Sequence, residues 1–439
     1  MPSLSLAMIV KNEEARLSHC LGSVRGLVDE MVVVDTGSND GTVALAESFG
    51  ARVGHFVWCN DFAAARNAAL DLCTGEWVLV LDADEAVDPL DHPVIRGAME
   101  RKGPPAFRVT LRNYLPHGAM TLMDETPRRN TTRYTEGSSC AYYADHPALR
   151  LCRRLPGLAY RGVVHELLDP FFQERGMKIG TCRAVVHHFG KMDRGGEVSK
   201  QPVYLQMARR EAEQHPGELQ AHFNLMIQAQ QVGELEEALR AAQACLRLNP
   251  NSPRLVSLTA AQVLRELGRP KEALPWLEKL LKAFPDHGPC LLLRAQILSD
   301  LGQEGEALTV LRRAVRRNPD WALLSITLAE KESKLGEFEA ARATLLESIR
   351  HHPGQELLLE ALVRLDLDHD RRDQALGDAA LAIRQCPSGG NGIWHWVVGT
   401  ELWAAGRLAH ARAAVQDGLR VFPGHEGLQA LAVKLGDAS

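Results

Sequence analysis

The chain of 439 residues is 45% hydrophobic and 24% charged, which is the composition of an ordinary globular protein. One hydrophobic core seldom supports that length, so we expect at least two domains. The formal net charge of -5, without a long run of Lys or Arg, argues against a nucleic-acid partner and favours a small or neutral substrate.

Neither the hydropathy nor the cysteines predict a membrane or secreted protein. No apolar run reaches the roughly eighteen residues of a membrane span, and the apolar stretch 1–10 is too short for a signal sequence. The nine cysteines are odd in number and nowhere spaced as C-x-x-C, which disfavours a disulfide framework and a zinc site. We therefore expect reduced thiols and a cytoplasmic location.

Short apolar runs alternate with amphipathic stretches in the first part of the chain. This alternation predicts βαβ units with a parallel sheet. The predicted elements are strand 4–10, helix 13–24, strand 31–34, helix 42–49, strand 52–57, helix 62–72 and strand 77–81. A further strand is predicted at 106–111, and a helix at 197–214.

Polar residues gather after three of these strands, where open α/β sheets bind ligands. They are Lys11-Asn12-Glu13, Asp35-Thr36-Gly37-Ser38 and Asp82-Ala83-Asp84-Glu85. In an extended segment Asp82 and Asp84 would point the same way and could hold Mg²⁺ or Mn²⁺. Short acidic triplets are also common in solvated turns, and Asn12 and Glu13 could instead be a helix cap and a first-turn charge.

Four ordered motifs, SLAMIVKNEE, VVVDTGSNDGT, DFAAARNAAL and GEWVLVLDADE, resemble the nucleotide-binding half of family 2 glycosyltransferases of the GT-A fold. The resemblance covers about residues 3 to 90 and extends more loosely to about 190. It implies a Rossmann-like domain with a mostly parallel sheet, and an inverting, metal-dependent transferase of the hexosyltransferase type. The donor implied is a nucleotide-sugar, with UDP expected.

The same resemblance assigns roles to individual residues. Asp84 is implied to bind Mn²⁺ or Mg²⁺ at the donor diphosphate. The residues implied to contact the nucleotide-sugar are Val10, Asn12, Glu13, Asp35, Arg66, Asp82 and Ala83. Many family members carry two acidic residues where this chain has Asp35-Thr36, and Arg66 could instead be a surface arginine paired with Asp61 or Asp71.

Two downstream segments could complete the chemistry. Sugar transfer needs a general base, which the resembled family takes from an Asp or Glu on the acceptor side. We assign this role to Glu166 in Tyr160–Glu166, with His165 orienting it or binding phosphate, and keep Asp124, Glu125, Glu136 and Asp145 in reserve. The His165-Glu166 pair does not continue as H-E-x-x-H, so a zinc protease is unsupported.

The second segment is a predicted strand that ends in His187-His188-Phe189-Gly190. Related GT-A enzymes often take a further metal ligand from such a place, and the register favours His188 over His187. Paired histidines at a domain boundary also frequently do no more than hydrogen-bond the backbone.

A repeat organises the rest of the chain. Prolines at 216, 250, 285, 319, 353, 387 and 423 are 34 to 36 residues apart. A glycine lies seventeen residues before most of them, at 233, 268, 302, 336 and 406, and an alanine follows each glycine after five residues. This spacing resembles about six tetratricopeptide repeats, an all-α solenoid. Asp370 stands in place of the fifth glycine, so we expect an irregular turn there.

The resulting domain prediction is a catalytic domain at 1–195, a connecting helix at 196–216 and the repeats at 217–439. Fusion to repeats suggests a peptide or protein acceptor modified on Ser, Thr or Cys, as in similar bacterial peptide glycosyltransferases, and allows a homodimer. A cell-envelope or lipid-linked glycan acceptor and a non-catalytic adaptor remain as alternatives. A nucleotidyltransferase would show a Gly-rich basic loop near the first strand, which LAMIVKNEE lacks.

Overall fold

We describe the protein from a computed structural model. The structure describes all residues except 101–102, 116–126, 133, 139, 141, 191–200, 253, 388 and 438–439. Contacts divide the described chain into two compact units, one reaching to Ala283 and the other starting at Phe284. Each unit is treated separately below.

The first unit is built on a mixed sheet that contains nine strands within the described residues. The strands are β1 (Leu4–Val10), β2 (Glu30–Asp35), β3 (Arg52–His55), β4 (Trp77–Val80), β5 (Glu85–Val87), β6 (Ala106–Leu115), β7 (Arg128–Arg129), β8 (Tyr142–Arg153) and β9 (Ile179–His188). Their order is β3-β2-β1-β4-β8-β6-β9-β5, with β7 beside β8.

The first four strands are parallel, as the sequence predicts, with β1 between β2 and β4 and with β3 outside β2. The remaining strands make the sheet more mixed than the sequence indicates. β8 runs antiparallel to both β4 and β6, β5 runs antiparallel to β9, and β6 and β9 are parallel. This second half places the downstream segments next to the acidic turn after β4.

Five helices accompany the sheet. They are α1 (Glu14–Ser23), α2 (Thr42–Ser48), α3 (Phe62–Leu72), α4 (His92–Glu100) and α5 (Asp169–Glu174). Successive residues of β1 point to opposite faces of the sheet, as in any β-strand. Leu6 and Met8 belong to the core that also contains residues of α1 and α4, whereas Ala7 belongs to the core with residues of α3 and α5.

From Gln201 onward the described chain is helical. The helices in the first unit are α6 (Gln201–Gln214), α7 (Leu219–Val232), α8 (Leu235–Leu248), α9 (Arg254–Glu266) and α10 (Pro270–Ala283). Those in the second unit are α11 (Gly288–Asp300), α12 (Glu304–Arg317), α13 (Ala322–Lys334), α14 (Phe338–His351), α15 (Glu356–Asp368), α16 (Arg372–Gln385), α17 (Ile393–Ala404), α18 (Leu408–Val421) and α19 (Glu426–Asp437). Each periodic proline follows a helix end by two residues, because proline cannot continue a helix.

The turns between paired helices follow the repeat pattern. Gly233, at the end of α7, has φ +86°, and the other periodic glycines likewise adopt positive φ. Asp370 adopts φ +54°. The expectation of an irregular turn is therefore wrong for the backbone: the aspartate takes the left-handed conformation itself, which Asp and Asn tolerate better than most residues. The periodic alanines, such as Ala238 and Ala273, are fully buried.

A buried charge cluster in the second unit should make its stability pH-dependent. Asp366 and Asp378 both contact Nη1 of Arg342 at 2.6 Å. Burial and the neighbouring Asp378 raise the pKa of Asp366 to about 7, against the opposing charge of Arg342. A carboxyl with a raised pKa binds its proton more tightly in the folded state, so the free energy of unfolding should fall as pH rises from about 4 to 7.

The loss over this range should be on the order of 3 kcal/mol, since one pKa unit corresponds to about 1.4 kcal/mol. Urea unfolding of the full chain at several pH values, followed by hydrogen exchange of α15 and α16, would measure it. The Asp366→Asn variant should show a weaker pH slope in these helices. An unchanged slope would exclude this carboxyl as the cause.

The cysteines bear on the prediction of reduced thiols, and the hydropathy of the helices bears on the prediction that the chain has no membrane span. All nine cysteines lie in described residues as thiols, and seven of them are buried. Over the described part of the chain, none of the helices combines the length and the apolar character that crossing a membrane requires.

Candidate active site

The acidic residues after β4 lie in a turn rather than in the extended segment predicted. The backbone N–H of Glu85 donates to the carbonyl oxygen of Asp82 at 3.0 Å, which closes the turn into β5. The Asp82 N–H donates to the Glu85 carboxylate at 3.0 Å. As a result, the side chains of Asp82 and Asp84 have different partners, although they are only two residues apart.

Asp84 lies next to His188. In the antiparallel pairing of β5 with β9, Glu85 is opposite His188, so the residue before β5 comes beside the end of β9. Oδ2 of Asp84 is 3.4 Å from Nε2 of His188. The other ring nitrogen, Nδ1, is 2.6 Å from Oδ1 of the buried Asn113 on β6. This contact fixes the ring so that Nε2 faces the carboxylate.

Asp84 and His188 pack closely against a glycine, Gly190. A Cβ atom added to Gly190 would lie 2.4 Å from Oδ2 of Asp84 and 2.6 Å from Nε2 of His188. Any side chain at this position would therefore displace the Asp84 carboxylate or the His188 ring. Burial alone would lower the pKa of His188, but the hydrogen bond and charge of Asp84 outweigh it and raise the pKa.

Arg66 of α3 joins the acidic turn to the downstream segment. Nη2 of Arg66 donates to Oδ1 of Asp82 at 2.6 Å, and its Nε donates to Oε1 of Glu166. Burial would lower the pKa of this guanidinium, but the charges of the two carboxylates outweigh it and raise the pKa well above its ordinary value. The alternative that pairs Arg66 with Asp61 or Asp71 is not what the structure shows.

Arg150 of β8 is a second, largely buried cation that contacts the acidic turn. Its Nη2 donates to Oδ2 of Asp82 at 3.1 Å and also to Oε1 of Glu85. Burial would raise the pKa of Asp82, but Arg66 and Arg150 hold it well below its usual range. Burial raises the pKa of Glu85 to about 7, although Arg150 opposes the shift.

Comparisons with known proteins match two families to different parts of the chain. A model of the family described as Glycosyl transferase family 2 matches residues 5–139, which include the turn after β4. A model described as Tetratricopeptide repeat matches residues 229–297 and 264–325. The chain carries a family 2 glycosyltransferase domain followed by tetratricopeptide repeats.

Curated relatives each match part of this chain. An uncharacterized glycosyltransferase of Rickettsia felis is 42% identical over 85 residues, which are 19% of this chain and 30% of the relative. The glycosyltransferase SunS of Bacillus subtilis is 35% identical over 85 residues, 19% of this chain and 20% of its own length. A TPR repeat-containing protein of Synechococcus elongatus is 34% identical over 196 residues, 43% of each chain. The chain thus spans less than half the length of these curated relatives.

Solved structures of repeat proteins are also similar to part of this chain. A tetratricopeptide repeat protein from Parabacteroides merdae covers 54% of this chain and 92% of its own, with 17% identity and a TM-score of 0.37. Part of a repeat protein from Cytophaga hutchinsonii covers 53% and 94%, with 10% identity and a TM-score of 0.43.

In the glycosyltransferase domain, the residues predicted to contact the nucleotide lie at the ends of β1 and β2. The Asp35 carboxylate is buried and accepts from the N–H groups of Gly37 and Ser38 at 3.0 to 3.2 Å. The buried Val10 accepts from the Thr36 N–H with its carbonyl oxygen at 3.0 Å. Both residues therefore lie at the carboxyl ends of parallel strands, where open α/β sheets bind ligands.

Asn12 and Glu13 have contacts that tie two loops together. Oδ1 of Asn12 accepts from the Asn39 N–H at 2.9 Å, and the Glu13 N–H donates to Oγ1 of Thr42 at 2.8 Å. Glu13 precedes α1, and its side chain makes no capping hydrogen bond. These hydrogen bonds give Asn12 and Glu13 a structural role in holding two loops together. The predicted contact of both residues with the donor stays a prediction.

The predicted donor contact Ala83 is buried within the acidic turn.

The two neighbouring histidines differ sharply in environment. His187 is buried, its ring lies 3.8 Å from that of Tyr134, and its Nδ1 is 2.8 Å from the hydroxyl of Tyr114. Burial and the charge of Arg112 lower the pKa of His187 to about 4. His187 is thus a neutral core residue, whereas His188 faces Asp84.

Among the reserve candidates for the base, Asp145 forms a two-point ion pair with Arg112, with both N···O distances 2.8 Å. Glu136 lies exposed in a short helical turn, Thr135–Gly137. Asp124 and Glu125 lie outside the described residues. Of the described candidates for the base, Glu166 is the one that contacts Arg66.

Sequence reasoning missed Arg150 and Asn113, which contact the acidic turn and His188. Neither belongs to a recognisable motif. The signal that could have suggested them is their position along β8 and β6, because alternate residues of a strand lie on the same face of the sheet. Using this signal requires the strand bounds and the register.

Proposed function

We propose that the protein is an inverting, metal-dependent glycosyltransferase that transfers a sugar from a nucleotide-sugar, with UDP expected, to an acceptor. One arrangement carries the proposal. The Asp84–His188 pair, packed against Gly190, belongs to the same turn as Asp82, which is joined through Arg66 to Glu166. The first group suits a cation at a diphosphate, and the second brings a candidate base to the same turn.

The residues fit a divalent cation. Within the described residues no three His, Cys, Asp or Glu side chains converge on one point, but Asp84 and His188 supply two ligands. Mg²⁺ and Mn²⁺ at nucleotide sites commonly take few protein ligands and complete their shell with phosphate oxygens and water. When bound, the cation would stabilise charge on the leaving diphosphate.

The chain's own groups would perform the remaining steps. Glu166 accepts the proton of the acceptor O–H or S–H as that atom forms its bond to the anomeric carbon. The bond between the anomeric carbon and the diphosphate oxygen breaks, and its electron pair leaves with the nucleotide. Nη1 of Arg66 has no hydrogen-bond partner among the described residues, and an anionic donor close by would satisfy it.

For the acceptor we propose a peptide or protein side chain, because tetratricopeptide repeats suit binding of an extended partner. The catalytic domain ending near residue 195, a homodimer formed by the repeats and a cytoplasmic location are parts of the same proposal. An acceptor in a cell-envelope or lipid-linked glycan would leave the repeats with an assembly role.

Donor turnover tests the proposal. The full chain with Mn²⁺ should release nucleotide from one member of a panel containing UDP-glucose, UDP-galactose, UDP-N-acetylglucosamine and GDP-mannose. Release should stop when EDTA removes the metal, and peptides rich in Ser, Thr or Cys should gain the mass of one sugar. No release from any donor, with the protein folded, would favour a non-catalytic adaptor instead.

A further inference from the structure

The segment that carries Glu166 is a closed loop. The N–H of Arg161 donates to the carbonyl oxygen of Leu167 at 3.0 Å, and the N–H of Leu167 donates back at 2.8 Å. We call residues 161–167 the Glu166 loop. At its tip, His165 has φ +54°, a left-handed conformation that costs a non-glycine residue free energy unless its surroundings fix it.

One side of the Glu166 loop rests on the glycosyltransferase domain. The N–H of Phe62, the first residue of α3, donates to the carbonyl oxygen of Val163 at 3.0 Å. One turn further along α3, Arg66 donates to Glu166. α3 therefore contacts the loop at two points but leaves Val164 and His165 to other partners.

Helices α6 and α7 hold the opposite side, and these helices belong to the same compact unit. The Val163 N–H donates to Oε1 of Glu211 on α6 at 3.0 Å. Nδ2 of Asn224 on α7 donates to the Val164 carbonyl oxygen at 2.5 Å, and Nε2 of Gln228 is 3.0 Å from Nε2 of His165. Three consecutive loop residues are thus each bonded to a helix that follows the catalytic domain in the chain.

The three helix residues are buried although they are polar. Glu211, Asn224 and Gln228 are 6%, 0% and 2% exposed. Buried polar groups are costly unless they are hydrogen-bonded, and here the bonds go to the loop and to one another: Nδ2 of Asn224 is also 3.3 Å from Glu211. Glu211 and Asn224 bond to the loop backbone, and Gln228 contacts the ring of His165, so the polar groups of the helices are matched to the loop.

We propose that Glu211, Asn224 and Gln228 are positioning residues that hold the Glu166 loop, and through it Glu166, in the geometry needed for transfer. This inference rests on the proposed function of Glu166. It makes the first helices after the catalytic domain part of the catalytic unit rather than a separate binding module.

The first test compares two variants of one position in the full chain. Glu211→Leu removes the acceptor of the Val163 N–H, whereas Glu211→Gln keeps an amide oxygen at that place. Nucleotide release from the donor found in the panel should fall about a hundredfold in kcat for Glu211→Leu, because small displacements of a catalytic group are costly. Binding of UDP with Mn²⁺, measured by calorimetry, should change less than about twofold, and Glu211→Gln should restore most of kcat.

A matched control removes a buried glutamate elsewhere in the repeats. Glu332 on α13 is 2% exposed and accepts from Arg312 and Thr344, in the second unit. Glu332→Leu should leave nucleotide release unchanged even where it lowers the melting temperature. An equal loss of kcat in both leucine variants would overturn the inference, since it would indicate a general effect of weakened helices.

A double variant separates this inference from the proposed function. If Asn224 acts through Glu166, Asn224→Leu should lower kcat alone but add nothing to Glu166→Gln. Additive losses, or no loss from Asn224→Leu, would overturn the positioning role. No loss from Glu166→Gln alone would instead refute the base assignment.

Hydrogen exchange gives a readout that needs no activity. Amides of the Glu166 loop should exchange on the order of tenfold faster in Asn224→Leu than in Glu332→Leu. Gln228→Met, which removes one contact only, provides the milder variant if Asn224→Leu does not fold. Unchanged loop exchange in folded variants would show that α6 and α7 do not hold it.

Discussion

Asp84→Ala is expected to slow nucleotide release from the donor about a thousandfold. Stabilisation of the leaving diphosphate by a cation contributes several kcal/mol, and each 1.4 kcal/mol is a tenfold change in rate. The variant should also lose Mn²⁺ binding in the presence of UDP, which manganese electron paramagnetic resonance measures directly. Its helices should remain folded, because Asp84 is a partly exposed turn residue far in sequence from α6 to α19.

Asp71→Asn is the matched control. Asp71 lies exposed near the end of α3, and its replacement removes the same charge from the same domain. It should leave both Mn²⁺ binding and nucleotide release unchanged. Normal metal binding and turnover in Asp84→Ala would refute the metal role of this carboxylate, and a loss in both variants would point to net charge instead.

The parallel half of the sheet could be predicted because its information is local. Buried runs such as the one at β1 are followed by amphipathic stretches, and each element can be recognised from its own residues. The structure confirms strand Leu4–Val10 and helix Phe62–Leu72 at the predicted bounds and shifts the other elements as far as β4 by one or two residues, whereas β6 extends four residues beyond the predicted strand. The repeats were predictable for the same reason, since proline, glycine and alanine recur at fixed spacing.

The antiparallel half depends on pairings that a single sequence does not contain. His188 reaches Asp84 because β5 pairs with β9, and it is oriented by Asn113 because β6 lies on the other side of β9. Arg150 meets Asp82 across 68 residues of sequence. The motif alone could favour His188 over His187. Only the register of β9 against β5 and β6 explains why His188 faces Asp84 while His187 is buried against Tyr114.

Between these strands and the repeats the sequence predicts only a connecting helix. Helix α6 begins at Gln201 in the described chain, close to the predicted connecting helix. Its role in holding the Glu166 loop could not be predicted, because Glu211 and Asn224 look like ordinary polar positions on amphipathic helices. Their burial becomes evident only when the loop and the helices are seen together.

Glu166→Gln is expected to lower kcat by about a hundred- to ten-thousandfold, the usual contribution of a general base. The amide oxygen of glutamine can still accept the hydrogen bond of Arg66, so the loop should keep its place while the group loses its ability to take a proton. The affinity for UDP with Mn²⁺ should therefore stay within about twofold of the unaltered chain. Initial rates and calorimetry with the same preparation would measure both quantities.

The comparison variants distinguish the loss of a general base from the loss of a negative charge. Glu47→Gln removes an exposed carboxylate from α2 and should have no effect. Glu136→Gln and Asp145→Asn test the described reserve candidates, and a loss in either of them with normal activity in Glu166→Gln would move the base to that residue. If Glu166→Gln weakened UDP binding and kcat equally, the carboxylate would act by holding Arg66 for the donor. A loss confined to kcat, together with unchanged hydrogen exchange of the Glu166 loop, fits a group that works on the acceptor proton and distinguishes Glu166 from the positioning residues.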